Sequence, residues 1–470
     1  MPLSLYDTAT RAAREFIPIT PGHVGIYLCG ATVQAPPHVG HIRSGVSFDV
    51  LRRWLTIRGY DVTLVRNVTD IDDKIIHDAG HQDIPYWQLA MRNERAFARA
   101  YDVLGCLPPT YEPRATGHVP EMIALMQRLI DLDHAYSVNG DVYFDVRSFE
   151  GYGSLSGQRI DDMLASPDSA AKDKRDPRDF AMWKAAKPGE PLWQTPWGPG
   201  RPGWHIECSA MAGKYLGEHF DIHGGGLDLI FPHHENEIAQ SKAAGGAFAN
   251  FWMHNAWVTT AGEKMSKSLG NSLLVDEVVK RIPPVELRYY LVSAHYRSML
   301  EYSDVSVSEA GQGYRRIEGF LRRAHELLGG TPALLEVDLA ARPSAFDEAM
   351  DNDLAVPQAL AVLHDIVRAG NAAVAEQRID DVREAFCATL AMLDVFGLNP
   401  WDPQWSTGQA GSTDRATEVI DALVQVLMTQ RQEARVRKDF AAADAIRDGL
   451  DLIGIRIEDT AQGARWTLEK

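Results

Sequence analysis

Four residues of types that bind metal ions lie at Cys29, Cys208, His233 and Glu237. His233 and Glu237 are four positions apart in the segment PHHENE, so on a helix their side chains would share one face. An imidazole and a carboxylate at that spacing can bind one ion, and two thiolates would complete a tetrahedral set suited to Zn²⁺. Spacing alone supports only the His233–Glu237 pair, because a buried cysteine is usually an inert apolar residue.

Two further segments carry residues that could bind phosphate groups. His38 and His41 flank Gly40 in PHVGH, at a predicted helix start, where unpaired N–H groups favour phosphate and glycine lets a nucleotide approach the backbone. Lys264 and Lys267 lie in KMSKS, and two lysines on a mobile loop can neutralise charge that develops as pyrophosphate leaves. Taken singly, each segment also fits a plain alternative, namely surface histidines or a solvated turn.

The elements that must position these residues begin near the N-terminus. Residues 24–30 are typical of a short buried strand, residues 39–58 of a helix with one apolar face, and residues 62–65 of a second strand. A strand, a crossover helix and a strand open a parallel, doubly wound sheet. We therefore expect an α/β fold with a Rossmann-like catalytic domain.

The cysteines take different roles in this scheme. We expect Cys29 and Cys208 at two strand ends, so that they meet the His–Glu pair at the carboxyl edge of the sheet, where such folds bind substrate. Cys106 and Cys387 are interpreted as buried core thiols. Four widely spaced cysteines argue against a disulfide framework.

The rest of the chain divides into segments of different pattern. Its predicted parts are a catalytic domain at 1–110 and 201–258, a connective insertion at 111–200, a loop and stem-contact region at 259–315, a helical bundle at 316–400 and a small α+β C-terminal domain at 406–470. The last of these is predicted to hold two helices and a hairpin.

Composition limits the class of protein. A chain of 470 residues that is 45% hydrophobic and 24% charged suits several globular domains. It has neither a long apolar run nor the layout of a signal peptide, so we expect no membrane span and a cytoplasmic location. The net charge of -17 argues against nonspecific nucleic-acid binding, but it leaves room for locally clustered basic residues.

The PHVGH and KMSKS segments, in this order, resemble the HIGH and KMSKS signatures of class I aminoacyl-tRNA synthetases, with Val39 in place of isoleucine. The resemblance implies that ATP and an amino acid form an aminoacyl-adenylate, whose acyl group then passes to the terminal adenosine of tRNA. By the same resemblance, the residues that bind ATP are His38, Gly40, His41 and Lys267. The resemblance also implies a Mg²⁺ ion that accompanies ATP. The implied catalytic residues are His38, His41, Lys264 and Lys267.

Residues 27–32, 67–74, 203–211 and 231–237 are similar to segments of cysteinyl-tRNA synthetases, and the resemblance extends from about residue 5 to the C-terminus. It implies one Zn²⁺ ion per chain, with the ligands Cys29, Cys208, His233 and Glu237. It also implies an amino-acid pocket formed by Thr32, Trp204, His223 and Asp228. The implied substrates and partner are L-cysteine, ATP and tRNA(Cys), and we expect a monomer.

A metal site would have a clear purpose in such an enzyme. Cysteine and serine are nearly isosteric, and a hydrogen-bonding pocket separates two small polar groups poorly. A soft, partly open zinc site prefers a thiolate to a neutral hydroxyl. Selection at that step would make a separate editing site unnecessary.

The C-terminal region bears on the acceptor. One predicted helix has a basic face formed by Arg431, Arg435 and Lys438. By resemblance this face reads an anticodon. Without the resemblance, the same face also fits an ordinary solvated surface. The nearest alternative is a ligase that activates cysteine in the same way but transfers it to an amino-sugar inositol in mycothiol biosynthesis. Such a ligase resembles a synthetase without the anticodon domain, and this chain continues to residue 470. A catalytically silent paralogue would have lost a signature residue, and all are present.

Overall fold

The computed structural model describes residues 2–163, 174–260, 262–264, 273–406, 410–452, 455–460 and 463–468. The chain divides into two compact units, residues 1–402 and 403–470. The finer domain boundaries given above stay predictions. Among the described helices, none combines the length and the apolar character needed to cross a membrane.

The strands of the described chain follow one another from the N-terminus to the C-terminus. They are β1 (Ser4–Asp7), β2 (Ala12–Glu15), β3 (His23–Leu28), β4 (Asp61–Arg66), β5 (Ala135–Val138), β6 (Asp141–Phe144), β7 (Phe180–Ala185), β8 (Gly200–Pro202), β9 (His219–Gly226), β10 (Phe248–Asn255), β11 (Val258–Thr260), β12 (Glu263–Lys264), β13 (Leu300–Glu301), β14 (Ile455–Thr460) and β15 (Gly463–Leu468).

The α-helices are interleaved with these strands up to residue 301, and from residue 304 to residue 452 they follow one another with no intervening strand among the described residues. They are α1 (Val39–Ile57), α2 (Asp73–His81), α3 (Tyr86–Val103), α4 (Val119–Asp131), α5 (Trp204–Leu216), α6 (Glu235–Ala243), α7 (Val275–Val278), α8 (Pro284–Ser293), α9 (Asp304–Leu327), α10 (Ser344–Asp351), α11 (Val356–Ala375), α12 (Ile379–Val395), α13 (Pro403–Ser406), α14 (Ala410–Val436) and α15 (Phe440–Leu452).

A four-stranded parallel sheet in the order β10–β9–β3–β4 organises the first unit. Alternate residues of β3 serve its two faces: Ile26 and Leu28 pack into the apolar cluster that contains α1, whereas Tyr27 packs with Ile206 of α5 and Ile238 of α6. Helix α1 connects the adjacent parallel strands β3 and β4, as the sequence predicted. The predicted α/β fold with a doubly wound parallel sheet is confirmed.

Three further sheets of the described residues lie elsewhere in the first unit, one of which is the antiparallel pair β1–β2. Strands β5–β6–β7–β8 form an antiparallel sheet within the stretch predicted as an insertion. Strands β12–β11–β13 form a short sheet, in which Thr259 pairs with Lys264. Lys264 therefore lies at the end of a strand, and its side chain and Lys267 are outside the described part of the chain.

The second half of the chain is helical, as predicted, from α8 to α12. Residues 403–470 contain α13, α14, α15 and the antiparallel hairpin β14–β15, in which Ile457 pairs with Trp466. The predicted order of helix, helix and hairpin is confirmed.

One predicted placement is wrong. Cys208 lies in helix α5 and not at a strand end. Residues 205–212 are buried without interruption, so the helix has no polar face within that run and shows no amphipathic period from which it could be recognised. Its N-cap is Gly203, which has an extended backbone and no side-chain cap.

Candidate metal centre and active site

The four candidate metal ligands come from three parts of the fold and meet at the carboxyl end of the sheet. Cys29 follows β3, and its N–H donates to the Gly224 carbonyl of neighbouring β9 at 3.0 Å. Cys208 is in the second turn of α5, His233 is in a π-helical turn at residues 230–234, and Glu237 is in α6, which continues that turn. All four are buried, with Cys29 the most exposed at 9%.

Their donor atoms all lie within 4.8 Å of one another. The Sγ atoms of Cys29 and Cys208 are 3.8 Å apart, too far for a disulfide, and Cys29 Sγ is 3.6 Å from Glu237 Oε1. Ligands at tetrahedral angles around one Zn²⁺ ion would be separated by about 3.8 Å for two sulfurs and about 3.6 Å for sulfur and oxygen. His233 Nε2 is closer to Glu237 Oε1, at 3.0 Å. The residue types and the two sulfur distances therefore suit one tetrahedral ion.

Burial sets the protonation of these groups in the absence of a cation. It raises the pKa of the Cys29 and Cys208 thiols and lowers the pKa of His233 well below its usual value. The imidazole is therefore neutral, as a metal ligand must be, while the thiols retain their protons until a positive charge is present. Metal binding at this site would release protons.

A second set of donors overlaps the first. The donor atoms of Cys29, His223, His234 and Glu237 also lie within 4.8 Å of one another. His223 Nε2 is 2.8 Å from Glu237 Oε2, so the carboxylate contacts His233 with one oxygen and His223 with the other. Glu237 therefore has more buried imidazoles around it than the tetrahedral coordination of one ion requires.

These imidazoles continue a chain of hydrogen-bonding distances away from the candidate ligands. His234 Nδ1 is 2.8 Å from His254 Nε2, and His254 Nδ1 is 2.8 Å from the Thr8 hydroxyl. Burial lowers the pKa of His254 to about 3, so the chain is neutral. No sequence pattern predicted a role for His234 or His254. His234 could have been noted as the neighbour of His233, whereas the strand residue His254 gives no local signal.

The predicted amino-acid pocket is placed as follows. Trp204, the first residue of α5, stacks on His233 with ring centroids 4.0 Å apart and an interplanar angle of 14°. His223 is fully buried behind Glu237. Thr32 pairs with Thr69 in an isolated parallel bridge, and exposed Asp228 accepts a hydrogen bond from Trp257 Nε1 at 3.1 Å.

Three consecutive glycines, at residues 224–226, form the end of β9. A Cβ atom at Gly224 would collide with the ring of Phe48, which packs from α1 against β9. Packing alone therefore excludes a side chain at this position.

A cavity of about 450 Å³ lies next to Trp204 and His205. Asp72 and Lys74, at the start of α2, line it on one side, and Tyr152 and other residues between positions 152 and 184 line it on another. The resemblance predicted Trp204 at a binding pocket, but no local pattern predicted this cavity, because its wall comes from a part of the chain distant in sequence. Charged and aromatic groups beside a buried donor set are typical of a small-molecule site.

The predicted phosphate-binding histidines start helix α1. His38 is the N-cap, and the two histidines cap each other, each backbone N–H lying 3.3 Å from the other ring's Nδ1. Their rings stack with centroids 3.5 Å apart, and Gly40 lies between them in the first turn. This geometry orders both rings at the positive end of a 19-residue helix.

Residues 273–275, which follow the KMSKS segment in the chain, are hydrogen-bonded to the backbone on either side of His38. Val39 N–H donates to Leu273 O at 2.9 Å, and Val275 N–H donates to Pro37 O at 3.1 Å. The chain that leaves KMSKS is therefore hydrogen-bonded to the chain that carries PHVGH. Lys267 itself lies outside the described residues.

Comparisons with known proteins agree with this architecture. Residues 15–312 match the family described as tRNA synthetases class I (C) catalytic domain, and residues 345–399 match the DALR domain. Among solved structures, methionyl-tRNA synthetase of Mycobacterium tuberculosis in complex with methionyl-adenylate superposes with a TM-score of 0.58 at 16% identity, over 81% of this chain and 92% of that chain. A putative arginyl-tRNA synthetase from Campylobacter jejuni gives a TM-score of 0.51 at 14% identity, over 80% and 92%. At such identities the likeness shows the fold alone.

Curated relatives are much more similar in sequence. The cysteine–tRNA ligase of Streptomyces coelicolor is 61% identical over 99% of this chain and 75% of its own length. Those of Streptomyces avermitilis and of a Nocardioides species are 60% and 56% identical, over the whole of this chain and 99% and 100% of their own lengths. The chain therefore belongs to the cysteine–tRNA ligase family of class I aminoacyl-tRNA synthetases.

Proposed function

We propose that the chain activates L-cysteine with ATP and transfers it to the 3′ end of tRNA(Cys), with a Zn²⁺ ion held by Cys29, Cys208, His233 and Glu237. The observation that carries the proposal is the convergence of two thiols, an imidazole and a carboxylate at one buried point beside Trp204. A family that must separate cysteine from serine needs a soft site of this composition. When bound, Zn²⁺ favours a thiolate ligand over a neutral hydroxyl and lowers the pKa of a coordinated thiol.

The protein's own residues orient this centre. Trp204 stacks on His233 and holds its ring plane, while His223 holds one oxygen of Glu237. We assign the substrate amino group to the carboxylate of Asp228, which is exposed, and a wall of the amino-acid pocket to Thr32. A cysteine bound in this way would be fixed at both its ammonium and its thiol, which leaves the carboxylate as the reacting group.

In the first step the substrate carboxylate oxygen attacks the α-phosphorus of ATP. The bond from the α-phosphorus to the oxygen that bridges to the β-phosphate breaks, and pyrophosphate leaves. A Mg²⁺ ion bound with ATP would neutralise part of the phosphate charge. We assign His38 and His41 to the phosphates because they are ordered at a helix N-terminus with Gly40 between them. Lys264 and Lys267 neutralise the charge that develops on the leaving group.

In the second step a ribose hydroxyl at the 3′ end of tRNA attacks the acyl carbon, and AMP leaves. The relatives that support tRNA as the acceptor align with 99–100% of this chain, and so include residues 403–470. An amino-sugar inositol ligase would not need a region that reads an anticodon. This extent of similarity favours the transfer of cysteine to tRNA.

The experiment that tests the function offers both acceptors at once. Purified protein receives ATP, labelled cysteine, tRNA(Cys) and an amino-sugar inositol, and the two products are separated and counted. We expect label on tRNA and none on the sugar. Label on the sugar alone would refute the proposed acceptor, and a lack of cysteine-dependent ATP–pyrophosphate exchange would refute the activation step. Replacement of cysteine by serine provides the specificity control.

A further inference from the structure

Helix α2 carries two exposed histidines on one face of its C-terminal half. His77 and His81 are four positions apart, and the centroids of their rings lie 4.3 Å apart at an interplanar angle of 78°. The Nε2 atoms of the two rings approach each other to 3.0 Å. Neither histidine belongs to the candidate metal centre or lines the cavity beside Trp204. The chemistry proposed above therefore does not use this pair.

The distance between the two Nε2 atoms suits a particular class of metal ion. With metal–nitrogen bonds of about 2.1 Å, two imidazole nitrogens lie about 3.0 Å apart at a right angle and about 3.4 Å apart at the tetrahedral angle. The observed 3.0 Å matches the right angle. Ligands at right angles are typical of Ni²⁺ and Cu²⁺, whereas Zn²⁺ prefers the tetrahedral arrangement.

A carboxylate contacts the other nitrogen of one of these rings. His77 Nδ1 is 3.3 Å from Asp78 Oδ1. A proton on Nδ1 that is directed to this carboxylate leaves the Nε2 lone pair of His77 for a metal ion. Histidine ligands of metal ions almost always have such a partner on their second nitrogen. The contact with Asp78 therefore favours the tautomer that a metal ligand needs.

The position of the pair within the helix also favours a cation. His81 is the last residue of α2, where the terminal backbone carbonyls carry partial negative charge. The His77 side chain is 68% exposed, so water can supply the remaining ligands. Only Ile75 and Ala79 of this nine-residue helix are buried. Because few buried contacts hold so short a helix, an ion that links its last two turns would stabilise it.

We propose that His77 and His81 form a second metal site, which binds Ni²⁺ or Cu²⁺ through the two Nε2 atoms and leaves the other positions to water. The site is separate from the buried donor set and does not depend on the proposed function. Each neutral ring keeps its one proton on Nδ1, so the ion replaces only the hydrogen bond between the rings. Asp72 and Lys74, at the other end of α2, line the cavity beside the buried donors. An ion at this site therefore stabilises the helix that forms one wall of that cavity.

The test titrates the full, zinc-loaded chain with Ni²⁺ in a calorimeter. The site variant His81→Gln/Gln82→His keeps the number of histidines but turns the second imidazole about 100° around the helix. A second variant, His77→Gln, removes the other ligand and leaves the C-cap residue unchanged. The matched control, His219→Gln, removes an exposed histidine at the start of β9.

We expect one Ni²⁺ ion to bind wild type and the control with equal affinity. Both α2 variants should bind it at least about 10-fold more weakly, because one imidazole holds an ion less well than two. In wild type, Ni²⁺ should also slow the hydrogen exchange of the backbone amides of residues 77–81, and it should not do so in the variants. Cysteine-dependent ATP–pyrophosphate exchange without Ni²⁺ should be the same in all four proteins, which shows that each is folded.

Three results would overturn the proposal. Equal Ni²⁺ affinity in wild type and in the two α2 variants would show that surface histidines bind an adventitious ion only. A loss in His219→Gln as large as in the α2 variants would place the ion elsewhere. Release of zinc during the titration, measured by elemental analysis, would show that Ni²⁺ enters the buried donor set instead of the α2 pair.

Discussion

Hydrogen bonds behind the candidate ligands determine which atoms face the metal. His233 Nδ1 lies 2.9 Å from His205 Nδ1, so one of these rings must donate and the other accept. For His233 Nε2 to bind an ion, its proton must be on Nδ1, and His205 is then the acceptor. Glu237 Oε2 is within hydrogen-bonding distance of His223 Nε2, at 2.8 Å, which leaves Oε1 to bind the ion. The ring and the carboxylate are thus oriented by the protein itself.

Removal of one thiol tests the ligand assignment. Cys208→Ala should lower the metal content from about one zinc per chain to less than about 0.1, because three remaining donors bind far more weakly than four. The matched control is Cys106→Ala, at a buried thiol that contacts Arg288 and not the donor set. Elemental analysis of purified protein measures both. Zinc retained by the Cys208 variant, or lost equally by the control, would contradict the assignment.

His205 tests the orientation of the imidazole. His205→Leu removes the acceptor opposite His233 Nδ1 and should weaken zinc binding about 10- to 100-fold, the usual effect of losing such a partner. His219→Leu, at an exposed histidine that starts β9, is the control. Competition with a chelator of known affinity gives both constants. An unchanged zinc affinity in His205→Leu would show that the hydrogen bond has no part in orienting the ligand.

At the scale of single residues, the sequence predicted donor types better than it predicted their surroundings. His233 and Glu237 were predicted as a pair from helical spacing, and the structure brings their donor atoms to 3.0 Å. Cys29 and Cys208 came from resemblance, since no local pattern joins them. The contacts of His205 and His254 depend on the packing of α5, α6 and β10, which are remote in sequence, so local patterns could not indicate them.

At the scale of elements, the β3–α1–β4 unit was predictable because its signals are local. A buried strand, a helix with one apolar face and a terminating glycine follow one another within about forty residues. Helix α5 was not recognised, because residues 205–212 are covered on every side and buried helices and strands have the same apolar pattern. The missed helix did not change the predicted set of metal ligands, because α5 also places Cys208 at the carboxyl end of the sheet.

A buried ion pair joins several of these elements. Asp49 of α1 accepts hydrogen bonds from Arg288 of α8, from Arg53 and from the Leu107 backbone N–H. Arg288 also donates to the Phe396 carbonyl at 2.7 Å, which adds the end of α12. Arg288 and Arg53 hold the pKa of the Asp49 carboxyl below its usual value against the opposing effect of burial. The charge on Asp49 therefore stabilises the contact between the sheet domain and the helices that follow it.

Asp49→Asn should destabilise the protein by about 3 kcal/mol at neutral pH, because Arg288 stays buried without a counter-charge. The folded pKa of Asp49 is depressed, so its contribution is present above the unfolded pKa of about 4 and is lost as pH falls through the folded pKa. The difference between variant and wild type should hold from about pH 5 to 8 and narrow below about pH 4. Urea denaturation across that range measures it.

The control for this pair is Glu277→Gln, which breaks an exposed ion pair with Lys280. It should change stability by less than about 0.5 kcal/mol, as expected of surface pairs. The assigned role of the Asp49 charge would be contradicted if Asp49→Asn lowered the free energy of unfolding by no more than this control. It would also be contradicted if the loss of stability grew as pH fell.

At the scale of the whole molecule, the residues assigned to chemistry and the region that by resemblance reads an anticodon lie in different units. The candidate metal ligands, the capping histidines and the cavity beside Trp204 all belong to residues 1–402, which have their own apolar clusters. Residues 403–470 form a separate compact unit with a small cluster of Val424, Leu450 and Ile455. The boundary near residue 402 does not follow from composition. The acceptor does not follow from it either, because a net charge of -17 gives no information about local basic surfaces.

This division predicts that the two half-reactions can be separated. A chain ending at Asp402 should keep cysteine-dependent ATP–pyrophosphate exchange within about threefold of the full chain, because every group assigned to activation remains. Its kcat/KM for tRNA(Cys) should fall at least about 100-fold, since the loss of about 3 kcal/mol of anticodon contacts corresponds to that factor. Exchange serves as the internal control for folding. Charging at the full rate by the shortened chain would place anticodon recognition elsewhere, whereas loss of both activities would show that residues 403–470 also support the activation site.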